Sequence, residues 1–318
     1  MSLPKILQNL ELPVIGAPLF IVSGPELVIA QCKAGIVGSF PALNARPADQ
    51  LEKWIIRIKA ELAQYQAENP DKKVAPFAVN QICHASNDRL AHDVEVCVRQ
   101  EVPIIITSLR APKQVIDAVH SYGGIILHDV INIRHTKKAL SEGADGIIAV
   151  CAGAGGHAGT MSPYALIPEI REFHDGPLLC SGSIATGGSI LGAQAIGADL
   201  AYIGTQFITA KEANAPDAYK DMVVDATGKD IVYTSLFTGV EGNYLKESVR
   251  KADMDPENLP SADKSTMNFG SGGNTKAKAW RDIWSAGQGA GSIHEVKTVQ
   301  EIVDDLKQQY EESKKRIL

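Results

Sequence analysis

Aromatic residues make up only 6% of this 318-residue chain. No uninterrupted apolar run approaches the ~18 residues that a membrane-spanning helix needs. Positive charge is not in excess either. There are 31 lysines and arginines against 37 acidic residues, a balance of −6, which argues against a protein built mainly to bind nucleic-acid phosphates. Cysteine is scarce and odd in number. Cys32, Cys83, Cys97, Cys151 and Cys180 show no C-x-x-C spacing, which speaks for reduced thiols in a cytoplasm rather than a disulfide frame or a structural zinc. There is no H-E-x-x-H, so a zinc hydrolase of that kind is excluded. No basic-then-apolar leader follows Met1. A cytoplasmic protein without membrane or nucleic-acid partners is the expectation. What the chain does have is 45% hydrophobic residues, too many for a disordered chain. It also has 28 glycines, about 9% against a usual ~7%.

Short β-branched runs recur, each followed by a helical pattern. They are Val14–Ala17, Gly35–Phe40, Ala75–Asn80, Pro103–Thr107, Gly124–His128, Asp145–Cys151, Pro177–Gly182 and Asp199–Gly204. Most are continuously apolar, as parallel strands buried on both faces are. Helices are expected over Gly24–Lys33, Pro47–Glu68, Asp88–Arg99, Pro112–Tyr122, Asn132–Glu142, Ser162–Phe173 and Gly187–Ile196. Proline near several starts and glycine after several ends fit helix boundaries. A doubly wound sheet also alternates strand and helix, but a count of eight favours a TIM (β/α)8 barrel. The predicted organisation is a barrel over 1–213, a smaller helical and loop insertion or lid over 214–289, and a C-terminal segment, 290–318, returning to the barrel. That last segment holds a charged helix over Val296–Leu318 with Val299, Ile302, Val303 and Leu306 on one face.

The glycines gather at the ends of the last three runs, as CAGAGGHAGT (Cys151–Thr160), SGSIATGGS (Ser181–Ser189) and IGTQF (Ile203–Phe207). Barrel active sites lie at the C-terminal strand ends, and the loops after strands seven and eight often hold a phosphate. Gly182, Ser183, Gly204 and Thr205 are therefore phosphate candidates, with tight turns as the plainer reading. Gly153-Ala-Gly155-Gly-His-Ala158 formally fits the dinucleotide fingerprint, but it follows the sixth run, and the next helix starts only near Ser162. His157, shielded by no bulky neighbour, suits proton transfer near neutral pH, against the alternative of a solvated loop histidine. His128 closes the fifth run and is expected to point into the same mouth. No histidine spacing supports a metal site. The Asn80 amide can donate and accept, which suits the edge of a mixed heterocycle such as a flavin pyrimidine ring, or else a turn cap.

At these motifs the chain resembles the flavin-dependent nitronate monooxygenase (2-nitropropane dioxygenase) family. The matching pieces are PVIGAPLF (Pro13–Phe20), FAVN (Phe77–Asn80), AGGHAG (Ala154–Gly159), SGSIATGGS, IGADLAYIGTQFITAKEA (Ile196–Ala213) and WSAGQGAGSI (Trp284–Ile293). The resemblance implies a TIM barrel holding FMN, with His157 as the catalytic histidine. It implies flavin contacts from Asn80, Gly155, Gly156 and Gln288, and phosphate contacts from Gly182, Ser183, Gly204 and Thr205. The family's A-P-M reads Ala17-Pro18-Leu19 here, which puts Leu19 at the flavin. Its frequent lysine at the end of strand five is read here as His128. The implied reaction oxidises alkyl nitronates, or nitroalkanes after proton removal by His157, with dioxygen, to a carbonyl compound and nitrite. The alternative on the same scaffold is an NAD(P)H:quinone reductase or a flavin-type enoyl-acyl-carrier-protein reductase, with NAD(P)H as partner. A non-redox phosphate-binding barrel is a further rival, and a Schiff-base aldolase would need a lysine at a strand end.

Overall fold

The computed structural model describes residues 3–260 and 283–317. Eight parallel strands form one sheet: β1 (Val14–Gly16), β2 (Gly38–Pro41), β3 (Phe77–Ile82), β4 (Ile104–Ser108), β5 (Ile125–Val130), β6 (Gly146–Val150), β8 (Leu178–Ser181) and β9 (Leu200–Ile203). Their order is β1-β9-β8-β6-β5-β4-β3-β2, and a parallel bridge between Ile15 and Val37 joins the two edges. The sheet is a barrel, and all eight predicted runs supply its staves.

The continuous apolar runs follow from this closure, because each stave is buried on both sides. Alternate residues fill the interior, including Ile15, Val37, Ala78, Ile104, Ile106, Leu127, Ile148, Leu179 and Leu200. Their neighbours Val79, Ile105, Ile126, Ile147, Leu178 and Ala201 face the outer helices. The helices begin and end on local signals. Pro25 and Pro163 take the first helical position, Asn132 Oδ1 accepts the His135 N–H at 2.9 Å, and Gly143 closes its helix at φ +106°.

After β9 the chain forms helices and, in addition, two strands, β10 (Ile231–Thr234) and β11 (Gly242–Leu245). These pair antiparallel, and β11 also pairs with the two-residue strand β7 (Gly156–His157). The predicted glycine-rich loop is therefore partly sheet edge, tied to the segment after the barrel. Part of the predicted lid, residues 261–282, lies outside the described residues. The C-terminal helix, Val299–Ile317, lies against the helix Gly187–Ala195, so it completes the outer ring. It buries the four predicted apolar residues, Val299, Ile302, Val303 and Leu306.

Candidate active site

A cavity of about 980 Å³ opens at the C-terminal ends of the staves. That is near the top of the ~300–1,000 Å³ usual for small-molecule and cofactor sites. Leu19, Asn80, Gly155, Gly156, His157, Gly182, Ser183, Gly204 and Thr205 all line it, although they come from five separate stretches of chain. Gln288 does not. Its backbone N–H donates to the Gly153 carbonyl at 2.9 Å and its side chain lies beside Gly153, so Gly287 and Gly289 reach the wall instead.

Close backbone packing explains part of the glycine excess. A Cβ on Gly155 would sit 2.8 Å from the Gly287 nitrogen, so any side chain would push the returning segment off the loop after β6. Gly182 has φ +131°, and a Cβ there would lie 2.7 Å from the Ala152 carbonyl oxygen. Ser183 follows in the left-handed region at φ +55°. Thr205 Oγ1 accepts the Gly287 N–H at 2.8 Å, which leaves its own proton to be donated.

His157 is part-buried in the wall. Its Nε2 lies 3.0 Å from Thr238 Oγ1. Lost hydration pulls its pKa down to about 4, so the imidazole is neutral at pH 7. The segment around it is clamped from the β10–β11 side. The Ala158 N–H donates to the Glu241 carbonyl at 3.2 Å, the Tyr233 hydroxyl donates to the Ala158 carbonyl at 2.8 Å, and Asn243 Nδ2 donates to the Ala154 carbonyl at 2.6 Å. None of Thr238, Asn243 or Tyr233 belongs to a motif that marked the site in the sequence.

Strand phase sharpens the reading of β5. Leu127 belongs to the barrel interior and Ile126 to the outer face. By alternation His128 points outward, where its Nδ1 lies 2.8 Å from Thr107 Oγ1, the side chain paired with it on β4. His128 nonetheless lines the same cavity, with Asp129, His135 and Lys138. The β5 residue turned into the barrel mouth is Asp129. Burial raises the Asp129 pKa, against opposing pulls from His128 and the Ser108 hydroxyl. Burial likewise lowers that of His128, and the Asp129 carboxylate works the other way. The fifth predicted run stops one residue short of Asp129. Extending it and counting by two from Leu127 finds the residue.

Asn80 also becomes specific. Its Nδ2 donates to the Ile106 carbonyl at 3.2 Å and to Ser108 Oγ at 2.8 Å. No lysine stands on any of the eight staves, so a Schiff-base aldolase site is absent from them. Among the described residues no group of His, Cys, Asp and Glu is arranged to hold a metal ion, and no helix is long and apolar enough to cross a membrane. All five cysteines are buried and free.

These features define a class: a TIM-barrel protein with a large site at the C-terminal mouth, walled in part by the segment that follows the barrel. The chain belongs to the nitronate monooxygenase family, whose model matches residues 3–309, and so to a family of oxidoreductase enzymes. It is 28% identical over 214 residues to a (3aS,4S,5R,7aS)-5-hydroxy-7a-methyl-1-oxo-octahydro-1H-indene-4-carboxyl-CoA dehydrogenase of Rhodococcus jostii, covering 67% of this chain and 57% of that protein. It is 27% identical over 227 residues to a nitronate monooxygenase of Neurospora crassa, covering 64% and 59%. With a nitronate monooxygenase of Paraburkholderia phytofirmans it shares 24% identity over 96% of this chain and 95% of that one. The chain thus spans under two thirds of the length of the first two relatives. Among solved structures, a nitroalkane oxidase of Streptomyces ansochromogenes matches with TM-score 0.81 at 23% identity, covering 99% and 100%. FabK of Thermotoga maritima matches with TM-score 0.77 at 23% identity, covering 98% and 96%. At that identity both show a shared fold.

Proposed function

We propose that this protein binds FMN in the barrel mouth and oxidises alkyl nitronates, and nitroalkanes after proton removal, with dioxygen, to a carbonyl compound and nitrite. The observation that carries the reading is the convergence of a desolvated His157, the Asn80 amide and the small-residue ends of β6, β8 and β9 on one cavity. The family is flavin-dependent in general, and the residues present fit such a group. Ser183 and Thr205 bring two hydroxyls to the wall, and glycine at 182 and 204 lets a phosphate approach the backbone there. Leu19, Gly155 and Gly156 leave room for a flat ring.

The flavin supplies the redox chemistry, and the chain supplies position and proton handling. His157 is neutral at pH 7 and can accept the acidic proton from the carbon beside a nitro group. The nitronate so formed is an anion, and an anion beside the ring favours imidazolium, which holds the proton on His157. Thr238 restrains the ring at Nε2.

The test is the visible spectrum of purified protein, followed by anaerobic titration with propionate-3-nitronate and with NADH. A yellow protein bleached by the nitronate supports the reading. Fast bleaching by NADH with no nitronate turnover favours a reductase of the FabK type instead. A colourless protein that cannot be reconstituted with FMN overturns both.

A further inference from the structure

Asp129 is a half-buried carboxyl in the cavity wall that the proposed reaction does not use. It ends a chain of hydrogen bonds that starts at a link whose direction is determined. The Ile106 carbonyl can only accept, so the Asn80 atom 3.2 Å from it must be Nδ2. The same nitrogen donates its other proton to Ser108 Oγ at 2.8 Å. The Ser108 hydroxyl, having accepted that bond, donates its own proton to Asp129 Oδ2 at 2.5 Å. Both amide protons of Asn80 are therefore committed to the barrel wall. The atom that Asn80 leaves for the cavity it lines is Oδ1, an acceptor.

The carboxyl itself is held from several sides. The Leu109 backbone faces it, with Leu109 at φ +72°, a conformation unusual for leucine. His128 adjoins it on β5, and the Tyr202 hydroxyl on β9 feels its charge. With an acceptor fixed at Asp129, Ser108 cannot turn its proton back toward Asn80. Without that acceptor the hydroxyl could donate to Oδ1, and only the Ile106 carbonyl at 3.2 Å would then oppose turning the NH2 toward the cavity.

We propose that Asp129 is a positioning residue that acts through Ser108 to keep the Asn80 carbonyl oxygen toward the cavity, so that this edge of the site receives a ring N–H. The inference rests on the flavin reading and deepens it. An oxidised flavin ring carries one N–H, at N3 between two carbonyls, so Asn80 selects that imide edge.

The experiment compares binding of FMN and of 3-methyl-FMN, which lacks the N–H, to the full-length chain stripped of flavin, by quenching of flavin fluorescence. The wild type should bind FMN at least ~10-fold more tightly, the weight of one hydrogen bond with its partner left unsatisfied. Ser108→Ala and Asp129→Leu should narrow that preference by several-fold, as the Ile106 carbonyl alone then holds the amide. Ser108→Thr and Asp129→Asn keep a hydroxyl and an acceptor oxygen, and should restore the preference. A purely structural role would weaken both ligands together and leave their ratio unchanged. The inference is overturned if wild type binds the two equally, or if folded Ser108→Ala protein keeps the wild-type ratio. Wild type that binds no FMN at all overturns the flavin reading, and this inference with it.

Discussion

His157 carries two opposed demands, and its pKa shows which one the fold favours. A solvated imidazole titrates near 6.5, whereas burial holds this one at about 4. Between those values the unfolded chain takes up a proton that the folded chain refuses, so folded stability falls as pH drops from 6.5 towards 4. At about 1.4 kcal/mol per pKa unit, the loss from this residue between pH 7 and pH 5 is at most about 2 kcal/mol. His157→Asn should remove that part of the pH dependence, read by urea unfolding of both proteins at pH 7 and pH 5. It should also abolish turnover of neutral nitroalkanes while sparing part of the nitronate activity. A second residue-scale prediction concerns Gly182. Alanine there meets both φ +131° and a carbonyl oxygen at 2.7 Å. Gly182→Ala should cost more than ~1 kcal/mol in thermal unfolding and weaken FMN binding, because the strain falls on a wall residue of the cavity.

Elements differ in how plainly the sequence announced them. The eight staves were legible because both of their faces are buried, which leaves long β-branched runs such as Ile104–Thr107. The two-residue strand β7 was not, since Gly156–His157 has no apolar signature and exists only by pairing with Gly242 and Asn243, more than eighty residues on. His157 and Asn80 were found because glycine and a strand end marked them. Asp129 was missed because the run was ended at His128, and a one-residue error in a strand exchanges the inner face for the outer. The small sheet yields its own prediction. The Asn243 amide is buried and donates to the Ala154 carbonyl at 2.6 Å, where it fastens the His157 segment. Asn243→Ala should cost about 1–3 kcal/mol. It should also speed hydrogen exchange across 154–158 without changing it in the barrel strands.

At the scale of the whole molecule, the ring closes through a segment far from the site in sequence. Val299, Ile302, Val303 and Leu306 are each no more than 2% exposed, and they pack the C-terminal helix against the barrel. Gly187 makes the contact possible. A Cβ there would fall 2.1 Å from the Tyr310 nitrogen and 2.2 Å from the Leu306 oxygen, both backbone atoms. The Gly187 N–H donates to Gln309 Oε1 at 2.9 Å, and the Tyr310 hydroxyl donates to Gln194 Oε1 at 2.6 Å. Burying four such apolar side chains contributes roughly 6–12 kcal/mol, at about 1.5–3 kcal/mol each. That is comparable to the whole folding stability of about 5–15 kcal/mol expected of a natural protein. The helix therefore holds up the barrel as a unit. A chain ending at Lys297 should fail to accumulate as folded protein. The milder Leu306→Ala should lose about 2–5 kcal/mol to the cavity it leaves, lowering the thermal midpoint by several degrees. Below that midpoint its FMN affinity should match wild type, because Leu306 is not among the residues that line the cavity. A variant that lost FMN affinity while still fully folded would show instead that the helix reaches the site through the loop Gly182–Thr186, and calorimetry paired with fluorescence titration separates the two.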